Sequence, residues 1–178
     1  MNNIEVEVRS FITKERYGQL VKFFDKNGKL AGEDNQETHY LASKGDLRIQ
    51  KNDYFSKVWF KTGQIHDYVR EEYEIRLPAE QFPNLEKIFS LTGHKTKIKW
   101  FRKRLEYSWK GVTVCLDYTR GYGHILELEK MCNEGQKLKA LAELKSLMLG
   151  LSIEITPKEE FDKKYKYYAK NWKRLTRA

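Results

Sequence analysis

Residues 4–11 read Ile4-Glu5-Val6-Glu7-Val8-Arg9-Ser10-Phe11, an alternation with a strict period of two. That is the period of a β-strand, and it puts Glu5, Glu7 and Arg9 on one face and Ile4, Val6 and Val8 on the other. The pattern returns downstream at His124-Ile125-Leu126-Glu127-Leu128-Glu129, where two more glutamates alternate with leucines. Counting these two, strand-like runs fall at about residues 4–12, 46–51, 57–62, 69–77, 98–109, 111–118 and 124–131, with a shorter one near 38–42. Lys110-Gly111 reads as a tight hairpin and Gly121-Tyr122-Gly123 breaks the next pair, so neighbouring strands are expected to be antiparallel.

The same period applied to the other strands sorts the charges. One face each carries Arg48 with Gln50, Lys61 after Trp59, Arg70 with Glu72 and Glu74, Arg102 with Arg104, and Asp117 after Leu116. On any single strand this is an ordinary wet face, where cross-strand ion pairs add only about 0.2–1 kcal/mol. Repeated on strand after strand it points elsewhere, because solvent faces usually mix Thr, Ser, Gln and Lys. A closed barrel, apolar outside and covered by helices, places all of these charges in one lumen. Two carboxylates ~4 Å apart repel by about 4 kcal/mol at an effective dielectric of 20, so grouped glutamates call for a cation or for protons. Oxygen ligands suit Mg²⁺ or Mn²⁺, and arginine and lysine on adjacent strands suit phosphate oxygens. Acids for metal and bases for phosphate in one tunnel suggest a polyphosphate or nucleoside triphosphate.

Helices fill the gaps. Thr13 can cap one from Lys14 to about Asn27, a second runs from about Ala79 to Leu91 and stops at Gly93, and a third follows Asn133 with Leu138, Leu141, Leu144, Leu147 and Met148 along one side. The last opens on Thr156-Pro157-Lys158-Glu159, read as a capping box, and its apolar face is Phe161, Tyr165, Tyr168, Trp172 and Leu175. Its lysines and arginines read as a solvated face on a helix packed against or plugging the tunnel, in preference to a nucleic-acid or lipid site.

The 178 residues suit one domain spanning 1–178, with no linker-like composition. Lys and Arg number 34 against 25 Asp and Glu, a net charge of +9 that favours polyanionic partners without choosing among them. No signal-peptide core precedes Ile4 and no apolar run approaches the ~18 residues of a membrane span, so a soluble cytoplasmic protein is expected. Cys115 and Cys132 and the four histidines have no zinc spacing, and Cys115 is read as an inert filler. Trp59 and Trp109 are read as barrel packing.

Taken together, Glu5-x-Glu7-x-Arg9, Leu47-Arg48-Ile49, Phe60-Lys61-Thr62-Gly63, Arg70-x-Glu72-x-Glu74, Arg102-Lys103-Arg104, Leu116-Asp117 and Glu127-x-Glu129 resemble, in order, the CYTH superfamily of triphosphate tunnel metalloenzymes. That superfamily includes class IV adenylyl cyclases, thiamine triphosphatases and inorganic triphosphatases. The resemblance implies an α+β fold, an eight-stranded antiparallel tunnel with helices packed outside. It further implies a divalent metal, Mg²⁺ or Mn²⁺, held mainly by Glu5, Glu7 and the Glu127/Glu129 pair, with Asp117 a further candidate. Phosphate contacts would fall to Arg9, Arg48, Lys61, Arg70, Arg102 and Arg104, and catalytic roles to Glu5, Glu7, Glu74 and Arg104. The implied chemistry is attack on phosphorus, by water at a terminal phosphate or by a ribose 3′-hydroxyl at the α-phosphate. Two positions depart from the pattern: Arg9 stands where Lys is usual, and Gln50 where a second basic residue often follows Arg48. The stretch 38–46 is also shorter than the Tyr-rich segment of many cyclase-like relatives.

The leading functional expectation is thus a metal-dependent hydrolase of inorganic, nucleoside or thiamine triphosphate, acting as a monomer or homodimer without a membrane partner. A class IV cyclase making cyclic AMP from ATP follows, then a non-catalytic polyphosphate- or nucleotide-binding module. A nucleic-acid binder is the least favoured.

Overall fold

The computed structural model describes residues 4–177. Eight strands carry the chain around a ring: β1 Ile4–Ile12, β2 Lys29–Leu41, β3 Asp46–Lys51, β4 Phe55–Lys61, β5 Val69–Pro78, β6 Thr96–Trp109, β7 Val112–Thr119 and β8 Gly123–Cys132. They close in the order β1-β5-β4-β3-β2-β6-β7-β8. Every neighbouring pair is antiparallel, as direct connections require for the pairs consecutive in sequence. The β6–β7 turn at Lys110 and Gly111 has positive φ at both residues, the two-residue hairpin geometry that matches strand twist.

The alternation in β1 sets which side faces in. Val6 and Val8 are fully buried outside the barrel, against helices α1 (Lys14–Asn27) and α3 (Lys137–Gly150) and beside Val114, Leu116, Leu126 and Leu128 of β7 and β8. Burying each such side chain contributes about 1.5–3 kcal/mol, and a one-residue slip would turn the whole set into the lumen. Thr13 caps α1, its hydroxyl accepting from the Arg16 amide at 3.1 Å. Helix α2 (Phe82–Leu91) covers β3 and β4 through Phe82 and Leu85, entered by a short 3₁₀ turn at Ala79–Gln81. Trp109 lies in the outer core against Phe24 and Phe23.

Helix α4 (Lys158–Leu175) takes the plugging one of its two expected placements: its Phe161 and Tyr168 meet inward-facing Trp100 and Ile125 with Phe11 and Tyr40, so it closes one end of the barrel. The outer face of β5 is left uncovered there, with Tyr73 and Ile75 exposed. Other expectations need correction. Strand β2 is thirteen residues long, not a short run near 38–42, because its polar N-terminal half is held by pairing with the long β6 and not by apolar alternation. Thr156 caps nothing: its hydroxyl accepts the Phe11 amide at 3.0 Å and pairs with Ser10, leaving Pro157 at the helix start. Leu138 is 76% exposed; Leu144 and Met148 are the fully buried residues of that side of α3. Among the described residues, no helix is long and apolar enough to cross a membrane.

Candidate functional site

The inward faces enclose a cavity of about 710 Å³. Six strands deliver charges by the period of two, with polar and aromatic neighbours: Glu5, Glu7 and Arg9 from β1, Arg48 and Gln50 from β3, Lys57, Trp59 and Lys61 from β4, Arg70, Glu72, Glu74 and Arg76 from β5, Arg102, Arg104 and Glu106 from β6, and Glu127 and Glu129 from β8. Asp46 and Asp117 lie behind the lining, 7% and 0% exposed. The cations and carboxylates of this set nearly cancel.

Two buried aspartates organise the basic wall. Asp46 takes the Arg48 fork through Nε at 2.6 Å and Nη2 at 2.5 Å, and also pairs with Arg70. Asp117 accepts from Arg102 Nη1 at 2.9 Å and from Arg104 Nε and Nη2 at 2.8 and 2.7 Å. A buried carboxylate with two guanidiniums fixes both planar forks and still leaves one net positive charge. Burial pushes the Asp46 carboxyl up, but Arg48 and Arg70 bring it down to about 2. Arg48 further stacks on Tyr40 at 4.3 Å and faces Trp59 at 5.6 Å, so Trp59 belongs to the lumen as well as to packing.

The acidic wall is less well compensated. One oxygen each from Glu5, Glu7 and Glu129 lie within 4.8 Å of one another. Lys61 pairs with Glu5 and lies 3.1 Å from Glu72, Arg9 lies 2.5 Å from Glu7, and Arg104 stands 3.7 Å from Glu129. Glu7 Oε1 is buried and makes no hydrogen bond despite that ion-pair contact with Arg9. Burial raises the Glu7 carboxyl, as do Glu127 and Glu5, with Arg9 opposing. Burial also pushes Glu129 well above the ordinary range, with Glu5, Glu127 and Glu7 adding to it against Arg104. Burial alone would raise Glu127 too, yet Arg104, Arg102, Arg9 and Lys61 hold it at about 2.

A hard divalent cation fits this cluster: the donors are all carboxylate oxygens, they are buried together, and two of them hold protons more tightly than free glutamates do. A second group joins Cys115 with Glu127 and Glu129. There burial drives the thiol far upward and Arg104 engages Glu127 at 2.5 Å, which leaves a neutral thiol and a committed carboxylate. Of the sequence-derived metal candidates, then, Glu5, Glu7 and Glu129 stand together, while Glu127 and Asp117 are bound up with arginine. Glu74 lies apart, paired with Lys57 and Arg76 at 2.6 Å each.

Sequence reading overlooked Asp46, Lys57, Arg76 and Glu106. Each shares the strand parity of a residue it did identify, so extending the alternation by one step at each strand end would have found them. The two departures also have structural settings. Gln50 accepts from the Thr38 hydroxyl at 3.1 Å and stands opposite Lys57, which supplies a cation to that part of the lumen. Arg9 reaches the Ile65 carbonyl at 3.3 Å and lies over the Phe161 ring at 5.3 Å, contacts that suit a long planar fork. His66 lines the same end, its Nδ1 2.5 Å from Asp162 of α4.

Comparison with known proteins agrees with this architecture. A protein of Pyrococcus furiosus, described only as conserved and hypothetical, superposes with a TM-score of 0.73 at 21% identity, covering 84% of this chain and 91% of that one. A Vibrio parahaemolyticus protein described as a candidate adenylate cyclase gives 0.69 at 16% identity, covering 90% and 98%. A Hippeastrum protein, described as a candidate adenylyl cyclase with a dominant triphosphatase activity, gives 0.60 at 18% identity, covering 84% and 88%. At these identities the likeness is one of fold. No protein of curated function matches the sequence. The CYTH domain model matches residues 3–156, most of the length, and the chain belongs to the CYTH family.

Proposed function

We propose that this chain is a divalent-metal-dependent phosphohydrolase of a triphosphate compound. The observation that carries the reading is the division of one closed lumen into an under-neutralised carboxylate cluster and two arginine pairs preset by buried aspartates. Family membership supports it.

Glu5, Glu7 and Glu129 would hold the cation, which when bound offsets their mutual repulsion and activates a water for attack at phosphorus. Lys61, Arg9 and Arg104 are now tied to those carboxylates and to Glu127. Once the acids have another positive partner, these three side chains can turn to phosphate oxygens. Arg48 and Arg102, each anchored on a buried aspartate, would offer their remaining N–H groups to the phosphate chain, while Arg70, engaged with Asp46 and the Thr62 and Ile65 carbonyls, holds that wall in place. Because Asp46 and Asp117 hold the forks in place beforehand, little reorganisation is needed as charge builds on the leaving oxygen. Glu74 orients Lys57 and Arg76 and acts as a positioning residue.

A second reading, a cyclase acting on ATP, is favoured by the aromatic faces of Tyr40 and Trp59 beside Arg48, which could receive a base. One panel separates the two: inorganic triphosphate, thiamine triphosphate and ATP, each with Mg²⁺ or Mn²⁺, scored for phosphate and for cyclic AMP. Phosphate release above a Glu7→Gln control supports the hydrolase. Cyclic AMP and pyrophosphate from ATP alone would replace it with the cyclase.

A further inference from the structure

The net charge of +9 is not explained by the tunnel, whose acids and bases nearly cancel, so the excess lies on the outer surface. Much of it is on α4. After Asp162 the helix has no carboxylate, and Lys163, Lys166, Lys170, Lys173 and Arg174 are all exposed. Spacings of three and four place them on one face, about 16 Å long at 1.5 Å per residue, directed away from the apolar stripe that closes the barrel. Among the described residues none of the five makes an ion pair. Lys97, whose carbonyl accepts from the Trp172 indole at 3.2 Å, adds another exposed cation beside the helix.

A helix dipole accounts for basic residues in the last turn only, which covers Lys173 and Arg174 but not the three lysines before them. A solvated helix usually intersperses acids at i, i+4; here Glu159 and Asp162 stand four residues before Lys163 and Lys166, but no carboxylate of the helix stands three or four residues from Lys170, Lys173 or Arg174. Within the stripe Tyr167 is 54% exposed, its hydroxyl accepting from Arg174 Nη2 at 3.0 Å. An exposed ring set among unpaired cations is the arrangement that stacks a base while phosphates are held on either side. A bilayer would need apolar side chains beside the cations, but those of α4 are spent inside the barrel end.

We propose that the outer face of α4 binds single-stranded nucleic acid, through phosphate contacts from its lysines and arginine and stacking on Tyr167. The surface is separate from the triphosphate lumen and does not depend on the hydrolase reading. The test is fluorescence anisotropy of a labelled 20-nucleotide single strand, RNA and DNA in parallel, with the full chain across a salt series. Five phosphate contacts predict a slope of log K against log salt of about −3.5. Lys166→Gln/Lys170→Gln/Lys173→Gln should weaken binding by about tenfold or more and flatten the slope by about 2. Tyr167→Ala should weaken it with little change in slope, while saturating inorganic triphosphate with Mg²⁺ should not displace the strand. Circular dichroism and the melting temperature report whether each variant keeps its fold, and a salt titration of the wild type alone gives the slope if one does not. No binding at 50 mM salt, a slope near zero, displacement by triphosphate, or capture by phosphatidylserine vesicles with no affinity for either strand would each overturn the proposal.

Discussion

Replacing Asp117 with Asn removes one charge from the most deeply buried acid of the basic wall. Asp117 is wholly inaccessible and accepts from both Arg102 and Arg104 at 2.7–2.9 Å. Asn keeps the shape and one acceptor oxygen, but two guanidiniums, each less than a fifth exposed, then lack their shared counter-charge. Breaking a buried pair in this way costs about 3–5 kcal/mol; Glu127, 2.5 Å from Arg104, recovers part of it, so about 3 kcal/mol is expected. For a chain of this size each kcal/mol moves the melting temperature by about 2–4 °C, which places the variant about 6–12 °C below wild type in calorimetry. Glu33→Gln is the control: Glu33 meets Lys103 at 2.6 Å, an equally short pair, but both side chains are half exposed and the pair contributes about 1 kcal/mol or less. If Asp117→Asn melted within about 2 °C of wild type, or no lower than Glu33→Gln, the idea that buried aspartates preset the arginines would be refuted.

Two other outcomes follow from the same geometry. Glu7 and Glu129 have raised carboxyl pKa values in the folded chain, so folded protein holds protons there that unfolded protein has released. Their stabilising contribution is complete below about pH 4.5 and declines as pH rises through the folded values. Burial lowers His66, which acts the other way below about pH 6.5, so the comparison is between wild type and Glu129→Gln without metal: the wild type should lose stability relative to the variant from pH 5 to pH 8 by thermal denaturation. A constant difference would rule out the raised carboxyl. At the barrel end, Gly121 has φ +72°, and a Cβ there would fall 2.6 Å from Leu175 Cβ of α4. Gly121→Ala should therefore destabilise by at least about 1 kcal/mol and hasten amide exchange in α4; exchange unchanged from wild type would show that the helix does not depend on this contact.

The barrel was legible because strand parity is a local property: Glu5 and Glu7, or Arg102 and Arg104, face together whatever they pair with. What escaped was set by partners distant in sequence. The N-terminal half of β2 has little apolar alternation and is a strand only through β6. Thr156 followed by proline matches a helix cap in sequence, but the amide of Phe11 claims its hydroxyl. Likewise, Glu127 and Glu129 are indistinguishable as letters; the nearness of Arg104, Arg102 and Arg9 drives Glu127 down to about 2 while Glu129 is raised. Leu138 is 76% exposed because, at 3.6 residues per turn, it stands about 80–120° around α3 from the fully buried Leu144 and Met148, at the margin of the stripe that periodicity assigned to the core.

The most direct test of the central claim is the initial rate of phosphate release from the best substrate of the panel, measured for wild type and Glu7→Gln with Mg²⁺ or Mn²⁺ and with chelator. Loss of a carboxylate from the cation cluster should lower the rate by about a hundredfold, and chelation should abolish it in the wild type. Equal rates in wild type and Glu7→Gln, or full activity under chelation, would contradict the account.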